Sequence, residues 1–155
     1  MITTNELSLT LEDHQKAKTE ISFLLEIFAS TIVELMGGAT RTVGRMAGRH
    51  MAEKLPVYLP NPTLESVLSA VAEHYSAGYD IQYKCDENAA DLTFGRCAIR
   101  DILKERNLEV GGDLCKVFHY ALAGVVNQLL DRGAKGVIVK PGNDTCLTRV
   151  ELGDG

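Results

Sequence analysis

A cysteine and a histidine four residues apart carry the clearest chemical signal in this sequence. Cys115 and His119 fall on one face of a predicted helix, because residues four apart are neighbours on a helix surface. A thiolate and an imidazole at this spacing could supply two ligands to a zinc ion. Cys97 and Cys146 are the further donors that folding would have to bring alongside. The sequence thus offers four candidate zinc ligands: Cys97, Cys115, His119 and Cys146.

Two other interpretations of the same residues stay open. The four cysteines of the chain form no CxxC pair, and core thiols beside a hydrogen-bonded histidine would produce the same pattern. A Cys115 nucleophile with His119 as its base would need an orienting group and a cleft. The chain has no P-loop, GxGxxG, GxSxG or HExxH motif, so its motifs do not indicate a type of reaction. We therefore expect a binding domain rather than an enzyme.

A predicted helix over about residues 39–55 combines small and basic side chains. Gly44 and Gly48 lie on the same face, and each costs about 1 kcal/mol relative to alanine. Close approach of another backbone, or of a ligand, would offset that cost. Arg41, Arg45 and Arg49 form a parallel stripe that could bind an acidic head group or a partner's carboxylates. A solvated helix face would show the same stripe.

Aromatic residues could line an apolar pocket with polar handles. Tyr75, Tyr79 and Tyr83 suit such a pocket, although core packing explains them equally well. The candidate ligand-binding residues are Arg41, Gly44, Arg45, Gly48, Tyr75, Tyr83, Phe94 and Phe118.

Composition limits the class of protein. A chain of 155 residues, 45% hydrophobic and 24% charged, fits one globular domain. A net charge of −5 argues against sequence-independent nucleic-acid binding, which needs a basic footprint. Glu26 and Glu34 interrupt the longest apolar run, so we expect no membrane span. Residues 1–13 lack the basic start of a signal peptide, which predicts a cytoplasmic protein with reduced cysteines.

Periodicity predicts three helices, a hairpin, a short helix, a long buried helix and a second hairpin. Adjacent strand pairs favour an antiparallel sheet covered by helices, which is the α+β class. In the last helix, apolar residues on several sides indicate a central position, with Asp113 as its cap. In the first helix one apolar face is predicted to be buried: Ile21, Leu24, Leu25, Phe28, Ile32 and Leu35.

Several motifs resemble the 4-vinyl-reductase (hydrocarbon-binding) domain family. The stretch from Arg41 to Leu55 is similar to the family's glycine-containing second helix. Phe94-Gly-Arg-Cys97 is similar to a strand that closes on a cysteine, and Cys115 precedes a small-residue helix as it does in that family. The final strand, which starts at Cys146, matches the family's last strand. The similarity spans about residues 35–152.

The resemblance implies a fold shared with subunits of vesicle-tethering particles, often dimeric, with an apolar pocket between helices and sheet. Family members act as sensors in regulators of aromatic catabolism or as accessory factors in bacteriochlorophyll synthesis. Some bind zinc through cysteines and a glutamate. Here the strand beginning Val137-Ile-Val-Lys lacks that glutamate and its cysteine, and only Cys115 and Cys146 match the motif positions.

The leading hypothesis is a sensor domain that binds a small hydrophobic or amphipathic ligand and acts through a partner chain. That partner is a second copy or a separate regulatory or enzyme chain, with no direct binding to nucleic acid or membrane. Three alternatives stay open: a dimeric scaffold without ligand, an accessory subunit in tetrapyrrole or aromatic metabolism, and an enzyme subunit using Cys115 and His119.

Overall fold

The computed structural model describes residues 9–153, apart from the side chains of Ala134 and Ile138. Helical periodicity, capping and glycine positions divide this part of the chain into five α-helices and four strands. In chain order they are α1 (Leu11–Met36), α2 (Thr40–Ala52), α3 (Leu64–His74), β1 (Tyr79–Cys85), β2 (Ala89–Cys97), α4 (Ala98–Glu105), α5 (Asp113–Leu130), β3 (Ala134–Lys140) and β4 (Cys146–Leu152). A 3-10 turn at Gly37–Ala39 joins α1 to α2.

The four strands form one antiparallel sheet in the order β1-β2-β4-β3. Two hairpins, β1–β2 and β3–β4, meet along β2 and β4, where Phe94 lies opposite Cys146. Helices α3 and α5 pack against the sheet, while α1 and α2 pack on α5. This arrangement confirms the predicted α+β class and the central position of α5.

Three glycines set the distance between α2 and α5. A Cβ added at Gly48 would overlap the carbonyl oxygen of Ala121, and one at Gly124 would overlap the carbonyl oxygen of Arg45. A Cβ at Gly44 would come within 2.6 Å of the Tyr120 Cβ. The backbones can approach this closely only because these positions lack side chains. The space beside Gly44 and Gly48 is therefore filled by α5.

The first helix turns a different face inward from the one predicted. Ser22 and Ala29, each 3% exposed, are the buried residues of α1. Small side chains let α1 lie close to its neighbours, and the large apolar side chains are left on an adjacent face. Phe28 is 57% exposed and Leu35 is 77% exposed. The prediction that this apolar face is buried within the chain is wrong.

Two helices begin with side-chain capping, and a third begins without it. Thr10 with Asp13 and Thr63 with Ser66 form reciprocal capping boxes at α1 and α3. At α5, Asp113 is the first helical residue and Gly112 occupies the cap position without a side-chain hydrogen bond. The prediction of Asp113 as the cap is therefore wrong, although its carboxylate still lies in the first turn, where the helix dipole favours negative charge.

Candidate functional site

Three of the candidate zinc ligands converge at one end of the sheet. Cys97 ends β2, Cys115 lies in the first turn of α5 and Cys146 begins β4. All three are buried, with 2% to 3% of each residue exposed. Cys97 and Cys146 both act electrostatically on the Cys115 thiol, and Cys146 also acts on the Cys97 thiol, so the three lie near one another. We call these three residues the thiol cluster.

A buried arginine lies beside the thiol cluster. Arg100 is 3% exposed, and its guanidinium donates hydrogen bonds to the carbonyl oxygens of Phe94, at 3.1 Å, and Gly95, at 2.5 Å. Burial raises the pKa of the Cys97 and Cys115 thiols, and the nearby positive charge of Arg100 offsets this only in part. Both thiols are therefore protonated at neutral pH, whereas a nucleophile needs the thiolate.

His119 is held by the sheet rather than by the thiols. Its Nδ1 lies 2.9 Å from the Thr148 hydroxyl oxygen on β4, and its ring meets Phe94 edge-on at 5.0 Å. Burial lowers its pKa to about 4, so the imidazole is neutral at pH 7. An imidazole with so low a pKa is a weak general base for Cys115.

The buried imidazole predicts a pH-dependent stability. In the unfolded chain the ring takes up a proton near pH 6.5, whereas in the folded chain it stays neutral down to about pH 4. The contribution of His119 to stability is therefore level above pH 6.5, and it lowers the free energy of unfolding by up to about 3 kcal/mol as the pH drops from 6.5 to about 4. Urea unfolding of wild type and His119→Gln at both ends of the range checks this. The exposed-site variant His50→Gln should keep the wild-type slope, and an unchanged slope in His119→Gln would refute the assignment.

The described residues do not form a ready-made metal site. Among residues 9–153, no group of three or more histidine, cysteine, aspartate or glutamate side chains is arranged to hold a metal ion. Zinc would also require cysteines of the thiol cluster to lose protons although burial raises the pKa of Cys97 and Cys115, while His119 bonds to Thr148. Zinc binding by Cys97, Cys115, His119 and Cys146 stays a prediction.

The aromatic candidates lie between the sheet and the helices. Phe94 is fully buried, and Phe118 stacks on Tyr79 at 4.8 Å and meets Phe94 edge-on at 6.2 Å. Tyr75 and Tyr83 are partly buried and pack against the same core. Burial raises the pKa of Tyr79 well above its usual range. In this structure the aromatic set forms part of the core packing.

The arginine stripe divides between two environments. The guanidinium of Arg41 lies over the Tyr120 ring, 5.5 Å from its centre. Arg45 and Arg49 instead line a cavity of about 280 Å³ between α2 and the C-terminal end of α5. We call this space the arginine cavity. Its lining residues are Thr42, Arg45, Met46, Arg49, Asn127, Gln128, Asp131, Arg132 and Gly133.

Most polar residues of the arginine cavity could not be singled out from the sequence, and Asn127 and Arg132 are examples. Asn127 lies within the apolar pattern of α5, and Arg132 belongs to the turn that follows it. Both are far along the chain from Arg45, so no local spacing connects them. Only the packing of α2 against α5 brings them together.

The exposed face of α1 carries many of the large apolar side chains that lie on the surface of residues 9–153. We call Ile21, Leu24, Leu25, Phe28, Ile32 and Leu35 the α1 stripe; apart from the half-buried Ile32, these side chains are 45% to 77% exposed. The segment Leu11–Ala52, which includes α1, is long and apolar enough by length and composition to cross a membrane. Only 11% of this window is buried, so it is not a core helix, although a signal sequence near the N-terminus passes the same test.

A scan of the chain against models of known protein families finds no match, and a search of curated proteins also finds none.

Proposed function

We propose that this chain is a small binding domain whose working form is a homodimer, with the α1 stripe as the interface between two copies. The observation that carries the proposal is the exposure of large apolar side chains along one side of a long helix. Exposed apolar patches beyond a few hundred Å² indicate interaction sites in soluble proteins.

The spacing within the α1 stripe suits a partner helix. Its members recur every three or four residues, as in helices that pack along a seam. A two-fold axis lets the same surface serve both copies, because an isologous interface is self-complementary. The exposed parts of the stripe amount to roughly 600 Å², which approaches the about 800 Å² that one partner contributes to a specific interface. A second copy therefore accounts for the stripe without a further protein.

Charge along α1 favours a protein partner over a lipid bilayer. Glu26 and Glu34 lie away from the stripe and Glu20 borders it, and carboxylates are costly within hydrocarbon. Helices that lie in the membrane surface usually carry lysine and arginine on their polar face. Residues 19–40 contain neither, so an anionic membrane surface would repel this part of α1.

Substitution within the stripe tests the proposal. Phe28→Glu should convert the dimer to a monomer and weaken association at least about a hundredfold, because two charges would enter an apolar interface. Ser30→Glu is the control on the same helix, since Ser30 is exposed and no member of the stripe lies three or four residues from it. Analytical ultracentrifugation gives the association state, and circular dichroism checks that both variants fold.

Three results would contradict the dimer. These are a monomeric wild type at micromolar concentration, a Phe28→Glu variant that stays dimeric, and equal dissociation of both variants. Binding of the wild type to lipid vesicles with loss in Phe28→Glu would assign the stripe to a membrane instead.

A ligand-sensing role is the second part of the proposal. The arginine cavity favours it, because α2 and α5 form the cavity and α1 packs on both helices. Ligand binding there could therefore reach the dimer interface through direct contacts. Membership of the 4-vinyl-reductase family, an apolar ligand, zinc, a cytoplasmic location and a role in tetrapyrrole or aromatic metabolism all stay predictions from the resemblance and composition.

A further inference from the structure

We infer that the arginine cavity binds the phosphate group of a small metabolite. Three guanidinium groups line it, from Arg45, Arg49 and Arg132, against one carboxylate, that of the exposed Asp131. The cavity is therefore locally positive on a chain whose net charge is −5. A positive recess that collects several N–H donors is a site for an oxyanion.

Unpartnered donors are concentrated in this cavity. In the described part of the chain, four buried side-chain nitrogens lack a hydrogen-bond partner, and three belong to residues that line it: Arg45 Nε, Asn127 Nδ2 and Arg132 Nε. Asn127 is only 8% exposed. Each buried donor left unpaired opposes folding, so native structures normally supply an acceptor. One bound anion could supply acceptors to all three once small side-chain rotations turn these nitrogens, which solvent does not reach, toward the cavity.

Hydrogen bonds hold two of the arginines in place. Arg49 donates from Nε to the Gln128 side-chain oxygen at 3.2 Å. Arg132 donates from Nη2 to the Gly153 carbonyl oxygen at 2.7 Å and to the Asn88 side-chain oxygen at 2.9 Å, and from Nη1 to the Glu87 carbonyl oxygen at 3.1 Å. Arg132 Nε has no partner. The guanidinium groups of Arg49 and Arg132 are thus positioned before a ligand arrives, which reduces the entropy lost on binding.

The number of donors favours phosphate over carboxylate. A phosphate monoester presents three terminal oxygens and up to two negative charges, which match donors from three arginines and an amide. Attraction to the C-terminal end of the α5 dipole would also explain cations here, but it leaves the unpartnered nitrogens unexplained. The volume of about 280 Å³ limits the ligand to a phosphate with a small organic part.

Calorimetric titration of the full chain with inorganic phosphate, and separately with acetate, tests this site. We expect saturable phosphate binding and weaker acetate binding. Arg45→Gln and the nearly isosteric Asn127→Asp should each weaken phosphate binding at least about tenfold. Arg41→Gln is the matched control, because Arg41 lies one turn away over Tyr120. It should bind phosphate like the wild type.

Several outcomes would overturn the inference. They are no saturable heat with phosphate, acetate binding as tight as phosphate, or an equal loss of affinity in Arg41→Gln. Wild-type affinity in a folded Asn127→Asp variant would also remove the site. Circular dichroism and ultracentrifugation of each variant separate a loss of binding from a loss of fold or of the proposed dimer.

Discussion

Gly48→Ala should destabilise the protein by at least about 4 kcal/mol, a loss large enough to unfold a marginally stable domain. The added methyl group would overlap the Ala121 carbonyl, which is backbone and cannot rotate away. Relief requires α2 and α5 to separate, and that would open the packing of α5 against the rest of the helices. The intrinsic preference of a helix for alanine over glycine, about 1 kcal/mol, is too small to compensate.

Gly38→Ala is the matched control for this prediction. A Cβ there meets no atom within 4 Å, and its residue lies in the turn between α1 and α2. We expect a change within about 0.5 kcal/mol. Urea unfolding measures both variants. A loss below about 1 kcal/mol in Gly48→Ala would show that α2 and α5 are not in backbone contact, and space for a ligand beside the glycines would then be open again.

Phe94→Ala should cost about 3–5 kcal/mol of unfolding free energy. Phe94 is fully buried and its ring meets both Phe118 and His119 edge-on, so removal of the ring leaves a void bounded by side chains of α5. Tyr58→Ala removes a comparable ring that is 88% exposed, and it should change stability by no more than about 0.5 kcal/mol.

The same substitution separates core packing from an apolar ligand pocket. If Phe94 lined an open pocket in the free protein, its removal would break few contacts and cost less than about 1 kcal/mol. Denaturant unfolding of the ligand-free chain, with the slope against denaturant compared between variants, distinguishes the two cases. A large loss supports the packed core, and a small loss supports the apolar-ligand hypothesis.

Arg100 shows why a buried charge cannot be predicted from local pattern. On α4 it lies among Ile99, Ile102 and Leu103, all buried, where a charged residue would be expected to turn outward. Two backbone carbonyls at the end of β2 accept its hydrogen bonds, and those acceptors are positioned by strand pairing. Its proximity to the thiol cluster is likewise a consequence of how β2, β4 and α5 meet.

The sequence by itself determined the secondary structure and the fold class. Helical periodicity, capping residues and alternating strands act over a few residues, so five helices and two hairpins could be predicted close to their observed bounds. The apolar face of α1 was also readable from its period. Whether that face is buried could not be predicted, because periodicity identifies an apolar face without identifying what covers it.

Tertiary structure decided which residues form each site. Gly44 and Gly48 indicated a close contact, and only the packed helices show that α5 fills it. Folding brings Cys97 close to Cys115 and Cys146. His119 does not join these cysteines, because it forms a hydrogen bond with Thr148. Asn127 lines the arginine cavity from α5, far along the chain from the arginines of α2, so no local sequence pattern connects them. Contacts between residues distant along the chain depend on all the packing interactions together. The spacing of residues within a short segment therefore cannot predict them.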